Sequence, residues 1–529
     1  MKRCRTIVFT FISFLFLSGC NQHSSSHRSD VFRYNEPAGI SSLDPAFARA
    51  QSNIWVCHQL FSTLVELDDQ LQIIPGLAKH WSVCDSGLLY RFTLHSNVLF
   101  HPHPAFKKPR TLSADDVVYS LYRLKDPKLS SPGAWTMQLM DTVYAENDTV
   151  VSIQLKEPFS PFLRLLSMKY TSIVALEAVE YNDVSFAKYP TGTGPFYLKK
   201  WVPGERLILR RNQNYSHTDF KGNIESVVVR FINDKLSAFL SFLKGDLDFI
   251  SGLDVSYRDD IIDENGNLKE KHKTRMRLET TDYLNTEYLA FNTKKLKKEN
   301  SPYADVRIRQ AMHLAIDKRQ LVRYLLRNMA LPANSGMTPP SLSSVSQELI
   351  HHNKDEARRL LSESGYKHGE GLPPITLHTN PGYQDIAEFI QSQLIQVGIP
   401  IVVDVSPPAT LRQQIATGKI DFFRASWIAD YPDAENYMLL FSSEFLPPNG
   451  PNYSRFSNPS TDSLYSALSR MQPSTERDTL HLLMEEIISD HNPVIPLFYD
   501  QVIRLVAKDV TGFPINALNL LEIRSLTKE

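Results

Sequence analysis

The sequence predicts an α/β (mixed α+β) fold built from more than one domain. Helix signals and strand signals alternate along nearly the whole chain, which is the pattern of sheets covered by helices. The 529 residues exceed the size that one hydrophobic core usually supports, so two or three domains are expected. No repeat of solenoid period is visible, which argues against a repeat architecture.

The N-terminus has the pattern of a cleaved signal peptide. Three basic residues within positions 2–5 precede the apolar run 6–17, which is too short to span a bilayer comfortably. The run ends at Leu-Ser-Gly-Cys20, which resembles the lipobox of bacterial lipoproteins, where the cysteine sulfur receives a diacylglyceryl group. An ordinary signal peptide with a chance cysteine is the alternative. We therefore expect a signal peptide over residues 1–19 and an extracytoplasmic protein anchored to a bacterial lipid bilayer through Cys20.

The segment after the signal peptide and the overall charge limit the possible functions. Residues 20–30 are rich in Ser and His and bury too little apolar surface to fold, so a flexible tether is expected. Removal of residues 1–19 takes away three basic and no acidic side chains, which moves the net charge from −1 to −4. A chain with this charge lacks the basic footprint of a nucleic-acid-binding protein.

Two cysteines are expected in the folded part. Cys4 leaves with the signal peptide and Cys20 takes the lipid, which leaves Cys57 and Cys84. In an oxidising compartment these two can form a disulfide, and two small buried thiols are the alternative. The sequence leaves both possibilities open.

Helix and strand signals interleave along the chain. The helix signals are the capping box Ser113–Asp116 ahead of residues 117–124, Asp305 and Asp317, which each open a helix, and the apolar stripe over residues 386–397, which Gly398 ends. The strand signals are residues 91–94, 150–155, 207–210, 227–231 and 401–405. This alternation is the basis of the predicted fold class.

Five separated segments together resemble one protein family. They are residues 75–81 (Pro-Gly-Leu-Ala-Lys-His-Trp), residues 98–116, residues 192–215 with Gly-Thr-Gly-Pro-Phe at their start, residues 305–317, and residues 427–433 (Trp-Ile-Ala-Asp-Tyr-Pro-Asp) followed by Asn452-Tyr453 and Val494-Ile-Pro496. Their order and spacing are similar to those of the peptide/nickel-type extracytoplasmic solute-binding proteins of ABC importers, which include the oligopeptide-binding proteins. The resemblance extends over nearly the whole chain after the tether.

The resemblance implies a periplasmic-binding-protein-like fold of two lobes, with an extra third domain and a ligand cleft between the lobes. We expect the first lobe at residues 31–57, 174–284 and 502–529, the extra domain at 58–173, and the second lobe at 285–501. Closure of the lobes around a ligand is a hinge motion that ligand contacts favour. The implied protein is a monomer without cofactor that delivers oligopeptides to the membrane subunits of an ABC transporter.

The stretch from Trp427 to Asp433 is the most informative part of the sequence. An indole three residues before a carboxylate makes a receptor for an ammonium group, through charge-assisted hydrogen bonds and cation–π attraction. From residue types alone, Asp430 or Asp433 can also cap the helix that starts near Ala434. In oligopeptide-binding relatives the aspartate of this motif holds the α-ammonium group of the peptide. The resemblance therefore implies that Asp430 binds the peptide amine beside Trp427 and that Asp433 is the cap.

The resemblance also places further residues near a bound peptide. They are Arg424, Ser426 and Ala429, which flank the same loop, Asn285, Tyr499 and Asp500 at the two ends of the second lobe, and Trp135. For Trp135, burial in the core of the extra domain is the alternative. The main chain of an extended peptide is expected to pair with strand edges in the cleft, as in β-augmentation.

Several other functions are alternatives on the same sequence. His95, His101 and His103 suggest a nickel or haem carrier, but a His-X-His pair in a proline-rich loop lacks the carboxylate or cysteine that completes a ligand set. We therefore predict no metal site. Peptides derived from peptidoglycan present the same backbone and charged ends as other oligopeptides. A peptide-binding chaperone or surface adhesin would use the same cleft.

Enzymatic and nucleotide-binding functions lack their motifs. The sequence contains no Gly-X-Ser-X-Gly elbow and no His-Glu-X-X-His zinc helix, so no catalytic residue is predicted. Gly192-Thr-Gly-Pro lacks the lysine and hydroxyl residue of a phosphate-binding loop. Its glycines instead predict a tight passage of the backbone.

Overall fold

The computed structural model of the protein describes residues 30–215, 219–343 and 351–529. Within these ranges, helices and strands alternate as the sequence predicts, and the mixed α/β class is confirmed. The helices are α1 (Gln51–Leu60), α2 (Ala114–Lys125), α3 (Phe162–Leu165), α4 (Leu176–Val179), α5 (Lys235–Leu243), α6 (Val255–Ile261), α7 (Thr293–Lys298), α8 (Val306–Ala315), α9 (Lys318–Leu326), α10 (Lys354–Glu363), α11 (Gln384–Ile395), α12 (Pro408–Ala416), α13 (Glu435–Met438), α14 (Pro459–Arg470) and α15 (Thr475–His491). The strands are β1 (Val31–Asn35), β2 (Val65–Leu67), β3 (Ile73–Pro75), β4 (Ala78–Cys84), β5 (Leu89–Leu94), β6 (Met140–Asn147), β7 (Val150–Leu155), β8 (Phe196–Val202), β9 (Arg206–Arg211), β10 (Ser226–Arg230), β11 (Phe249–Ser251), β12 (Met276–Phe291), β13 (Ala330–Pro332), β14 (Ile375–Thr379), β15 (Ile401–Val405), β16 (Phe422–Ile428), β17 (Val494–Ala507), β18 (Val510–Thr511) and β19 (Thr527–Lys528).

The predicted helix caps are present in the structure. Ser113 and Asp116 form the capping box of α2. Asp305 accepts a hydrogen bond from the second residue of α8, and Asp317 does the same for the third residue of α9. Gly398 lies shortly after α11 with a φ of +95°, a conformation that favours glycine. Local sequence therefore specifies these helix ends.

One large sheet runs through both halves of the chain. Its strand order is β15-β14-β16-β12-β17-β11-β1-β10-β9-β8, and β13 pairs with β17. The long strands β12 and β17 pair antiparallel at its centre, and their pairing is interrupted between Asp282 and Thr286. The predicted strand at 227–231 extends one residue too far, because β10 ends at Arg230. The interruption lies where the predicted first lobe gives way to the second.

A separate four-stranded sheet, ordered β4-β5-β7-β6, lies within the region predicted as the extra domain. Its buried residues, such as Phe92 and Ile153, belong to the same hydrophobic cluster as Phe32 and Val227 of the large sheet. Two further clusters lie on the two faces of the sheet around β12, β14 and β16. A continuous core therefore joins this sheet to the first half of the molecule. The residue boundaries of the lobes stay a prediction.

The Gly192–Gly194 segment is a tight backbone passage, as predicted. A Cβ atom at Gly194 would lie 2.5 Å from the carbonyl oxygen of Gln59 in α1. His101 packs on the same segment, with its Nε2 atom 2.9 Å from the Gly194 carbonyl oxygen. Both glycines therefore let two segments of backbone approach closely.

The two cysteines of the described region are free thiols, so the disulfide alternative is wrong for this structure. Cys57 is buried as the other alternative expects, but Cys84 is exposed, so that alternative is wrong for Cys84. The predicted signal peptide and the lipidation site Cys20 lie outside the described residues. None of the helices in the described ranges is both long and apolar enough to cross a membrane.

Candidate ligand cleft

A cleft of about 770 Å³ opens between the two halves of the molecule. One wall consists of residues around the start of α1 and residues 132–170, and the other consists of β16 and the loop that follows it. Ligand pockets in proteins commonly have volumes of about 300–1,000 Å³. This cleft is therefore large enough to be a binding site.

Strand β16 presents an unpaired edge at the cleft. On one side, β16 pairs with β12 along its whole length from Phe422 to Ile428. On the other side, it pairs with β14 only at Phe422 and Phe423, and no other strand of the described ranges pairs with residues 424–428. Ser426 and Ile428 are exposed and line the cleft. Such an edge offers backbone N–H and C=O groups to an extended peptide.

Asp430 follows β16 and lies on the cleft wall. Its backbone N–H donates a hydrogen bond to Oδ1 of Asn436 at 3.0 Å, and Nε1 of Trp427 donates to the same oxygen at 3.2 Å. Asn436 is buried, so it fixes the loop and the indole together. Among the described residues, none forms an ion pair with the Asp430 carboxylate. The carboxylate therefore has no direct ion-pair partner, although the charge of Arg49 acts on it at longer range.

The environment of Asp430 suits a receptor for a cation. Burial raises the pKa of the Asp430 carboxyl to about 6, while the charge of Arg49 opposes that rise. Protein atoms surround the carboxylate, which accounts for the raised pKa, yet the side chain keeps an exposed surface that a ligand can reach. An ammonium group placed there would relieve the unfavourable burial of the carboxylate.

Two tryptophans frame Asp430. A second pocket of about 390 Å³ opens beside the cleft and shares Trp135, Trp427 and Asp430 with it. The apolar part of its lining consists of Phe159, Phe162, Leu165, Leu439 and Phe445, and charged residues such as Glu157, Glu444 and Arg470 also line it. Trp135 is half-buried and packs against the hydrophobic core. It therefore lines the cleft and also contacts the core, which are the two positions that the sequence allowed. The pocket can take an apolar side chain of a ligand held at Asp430.

Asp433 has a structural position that contrasts with that of Asp430. Its carboxylate is buried, accepts a hydrogen bond from the backbone N–H of Glu435 at 3.0 Å, and pairs with Arg477 at 2.6 Å. Arg164 lies 3.7 Å from its second oxygen. Asp433 therefore binds the first N–H of α13 and is fully engaged by protein groups, but the N-cap residue is Ala434, so the prediction of Asp433 as the N-cap is wrong by one residue.

Arg424, Asn285 and Asp500 come together in a polar cluster beside the cleft and not on its lining. Arg424 forms an ion pair with the buried Glu287, and its guanidinium lies 3.3 Å from the centre of the Tyr383 ring. Asn285 donates hydrogen bonds to Asp500 at 2.5 Å and to Glu287 at 3.3 Å. Burial raises the pKa of Glu287 to about 7, and Arg424 opposes the rise. These groups therefore already have partners in the protein.

The remaining predicted residues have different positions. Ser426 and Ala429 line the cleft, and the N–H of Ala429 donates to the Leu284 carbonyl oxygen at 2.8 Å. Tyr499 is buried and donates its hydroxyl to the Gly336 carbonyl oxygen at 2.8 Å, so it does not line the cleft. Tyr283 lines the cleft, and burial and then the charge of Asp500 raise the pKa of its hydroxyl to about 12.

Sequence reasoning missed most polar residues of the cleft, among them three on the wall that faces Asp430. Arg49, Lys169 and Tyr170 line it from the wall that faces Asp430. They lie far from Asp430 in the chain and belong to no motif, so only the folded structure brings them together.

In the described part of the chain, no group of three or more His, Cys, Asp or Glu side chains is placed to hold a metal ion.

Comparison with known proteins identifies the family. The family model for bacterial extracellular solute-binding proteins, family 5 Middle, matches residues 72–445. The chain is 26% identical to "Probable di/tripeptide-binding protein 5" of Pseudomonas aeruginosa (strain UCBPP-PA14), over 94% of this chain and 93% of the relative. It is 29% identical to the periplasmic murein peptide-binding protein MppA of Escherichia coli (strain K12), over 91% of this chain and 89% of MppA.

A solved structure supports the same assignment. The periplasmic binding protein DppA from Helicobacter pylori, in complex with the peptide STSA, superimposes with a TM-score of 0.77 and 25% identity, over 94% of this chain and 98% of DppA. The unliganded open form of the murein tripeptide-binding protein MppA superimposes with a TM-score of 0.78 and 27% identity, over 94% of this chain and 97% of MppA. These two structures confirm the predicted two-lobed fold. With the family model matching more than half of its residues, the chain belongs to the family 5 bacterial extracellular solute-binding proteins of ABC importers.

Proposed function

We propose that this protein captures oligopeptides in the cleft and delivers them to the membrane subunits of an ABC transporter. The peptide binds in an extended form along the edge of β16, with its α-ammonium group on Asp430. The lobes close around it, and the closed form is recognised by the transporter. A diacylglyceryl group on Cys20 anchors the protein to a bacterial membrane on the extracytoplasmic side.

The observation that carries this proposal is the state of Asp430. Two aspartates lie three residues apart, and Asp433 is saturated by an arginine and a backbone N–H while Asp430 has no ion-pair partner in the described chain. A structural role accounts for the carboxylate of Asp433 and leaves that of Asp430 unexplained. A ligand ammonium at Asp430 supplies the missing partner, and Trp427 adds cation–π attraction beside it.

The unpaired strand edge explains why the ligand is a peptide and not a free amine. Main-chain hydrogen bonds from residues 424–428 are independent of the ligand's side chains, so they give affinity without sequence selectivity. The adjoining pocket of about 390 Å³ then selects among apolar side chains. The relatives named as di/tripeptide-binding and murein peptide-binding proteins are consistent with such a ligand.

Peptides derived from peptidoglycan are the second candidate, favoured by the similarity to MppA. They offer the same amine and backbone groups, so the site as described accepts them too. A nickel or haem ligand has less support, because the described lining of the cleft contains no imidazole and no thiolate.

Native mass spectrometry of the protein purified without denaturation tests the proposal. We expect adducts whose masses resolve into peptides after gentle dissociation, with diaminopimelate-containing masses if the ligand derives from peptidoglycan. A refolded, ligand-free sample should then bind peptides with free N-termini. Failure of a mixed di- to pentapeptide library to bind the ligand-free protein would contradict the proposed function.

A further inference from the structure

The loop that carries Asp430 also touches the opposite wall of the cleft. Arg164 lies in the short helix α3 of that wall, and its Nη1 atom donates a hydrogen bond to the carbonyl oxygen of Pro432. Its Nε atom lies 3.7 Å from Oδ2 of Asp433, with which it forms an ion pair. One arginine of the opposite wall therefore binds the two residues that lie two and three positions after Asp430.

Neighbouring residues extend this contact between the walls. Tyr431 is buried in the hydrophobic cluster of the opposite half, and its ring centre lies 6.4 Å from that of Trp135 and 6.5 Å from that of Phe159. The backbone N–H of Ser160 donates to the carbonyl oxygen of Ser469 in α14 at 2.8 Å. Apolar contacts, a backbone hydrogen bond and an ion pair therefore join the walls beside the proposed amine receptor.

Arg164 lies outside the lining of the cleft. Pro432 lines the cleft, whereas Arg164 and Asp433 line a separate cavity of about 400 Å³ that shares Pro432 with it. This cavity extends to Thr281 and Asp282 of β12, where the pairing of β12 with β17 is interrupted. Since Arg164 lines neither the cleft nor the adjoining pocket, its influence on a ligand must pass through the loop or through the approach of the walls.

The contact of Arg164 can break without leaving a buried charge unpaired. When Arg164 withdraws, the Asp433 carboxylate keeps Arg477 at 2.6 Å and the N–H of Glu435 at 3.0 Å, both within its own half. The side chain of Arg164 is 26% exposed, so its guanidinium already reaches water. Breaking a buried pair is costly chiefly because one charge remains uncompensated, and this contact avoids that cost. It is therefore suited to form and break repeatedly.

We propose that Arg164 is a positioning residue that couples binding at Asp430 to closure of the two walls. The inference rests on the proposed function, in which the lobes close around a peptide. The bonds of Arg164 exist only while the walls touch, so they stabilise the closed form alone. Because the apparent dissociation constant varies inversely with the closed fraction, Arg164 raises the affinity for every peptide without contacting the ligand.

Calorimetric titration with two peptides tests this coupling. The peptides are the two best binders from a di- to pentapeptide library that differ in their side chains. The proteins are the wild type, Arg164→Met, Arg164→Lys and the control Arg91→Met, which removes an ion pair with Glu146 inside the four-stranded sheet. Methionine removes the hydrogen-bond donors and keeps an apolar stem, whereas lysine keeps the charge without the planar guanidinium.

Arg164→Met should bind both peptides about threefold to thirtyfold more weakly, by the same factor for each, as for loss of a partly exposed charged hydrogen bond. Faster dissociation should account for most of this loss. Arg164→Lys should recover part of the affinity, and Arg91→Met should bind like the wild type. The melting temperature of ligand-free Arg164→Met should equal that of the wild type. In the peptide-saturated variant, the Ser160 amide should exchange its hydrogen faster than in the wild type.

The outcomes separate this inference from the proposed function. An unchanged affinity of Arg164→Met, or a loss confined to one of the two peptides, would overturn the coupling although peptides bind. A lowered melting temperature of the ligand-free variant would also overturn it, because the residue would then stabilise the fold in general. If no peptide binds the wild type, the proposed function fails and the coupling with it. Should Arg164→Met fail to fold, as seen by circular dichroism, Arg164→Lys decides alone, and wild-type affinity in that variant would overturn the proposal.

Discussion

The affinity of the cleft for a peptide amine should fall as the pH is lowered through about 6. Burial sets the pKa of the free Asp430 carboxyl at about 6, and only its ionised form pairs with an ammonium group. The α-amino group of a peptide, with an ordinary pKa of about 8, stays protonated over this range. Protonation of Asp430 therefore competes with the ligand, and the full affinity is present only above this pKa.

The expected magnitude follows from the fraction of Asp430 that is ionised. With a pKa of about 6, nearly all of the carboxyl is ionised at pH 7 and about one tenth at pH 5. The association constant should then fall about tenfold between these two values. Ligand binding near pH 7 should release few protons, because Asp430 is already ionised there. At pH 5, where most of Asp430 is protonated, binding of one ligand should release close to one proton.

Calorimetry at pH 5, 6 and 7 in buffers of different ionisation enthalpy measures both quantities. Glu287 and Glu435 also have pKa values raised to about 7 by burial, so the control is Asp430→Asn, whose remaining pH dependence belongs to such groups. The difference between wild type and Asp430→Asn isolates the contribution of Asp430. A wild-type affinity that is flat between pH 7 and 5, or a slope unchanged in Asp430→Asn, would refute the reasoning.

Two further predictions concern stability. Asp433→Ala should lower the free energy of unfolding by about 3–5 kcal/mol, because it leaves the buried Arg477 without its partner, and chemical denaturation that shows a loss below about 1 kcal/mol would contradict this role. Gly194→Ala should lower the free energy of unfolding by about 1–3 kcal/mol, because its Cβ would lie 2.5 Å from the Gln59 carbonyl oxygen. The control Gly382→Ala, whose nearest atom would lie at 3.4 Å, should be nearly neutral. Equal effects of the two substitutions would argue against the tight passage.

Much of the fold was predictable because its signals are local. The capping box at Ser113 and Asp116 and the caps Asp305 and Asp317 depend only on residues within one helical turn, and all are present. The strand prediction at 227–231 was wrong by one residue, since the end of β10 is set by its pairing with its neighbours. Pairing partners are distant in the chain and leave no local mark.

The site was predictable only where a motif carries it. Asp430 and Trp427 lie together in one stretch, and the structure places both on the cleft. Arg424 lies three residues before this stretch, but its ion pair with Glu287 across β12 and β16 places its side chain in a neighbouring cluster. Lys169 reaches the cleft through the packing of two turns far apart in the chain, which no pattern in the sequence indicates.

Whether Asp430 binds the amine of a peptide is tested most directly by combining one protein change with one ligand change. Wild type and Asp430→Asn are titrated with the best-binding peptide and with its N-acetylated form. Because removing one partner of a desolvated charge pair costs about 2–5 kcal/mol, each single change should weaken binding about thirtyfold to a few thousandfold. Together they should weaken it hardly more than either alone, with no loss of thermal stability in the ligand-free variant. Additive losses, or an unchanged affinity of Asp430→Asn for the free amine, would contradict the account.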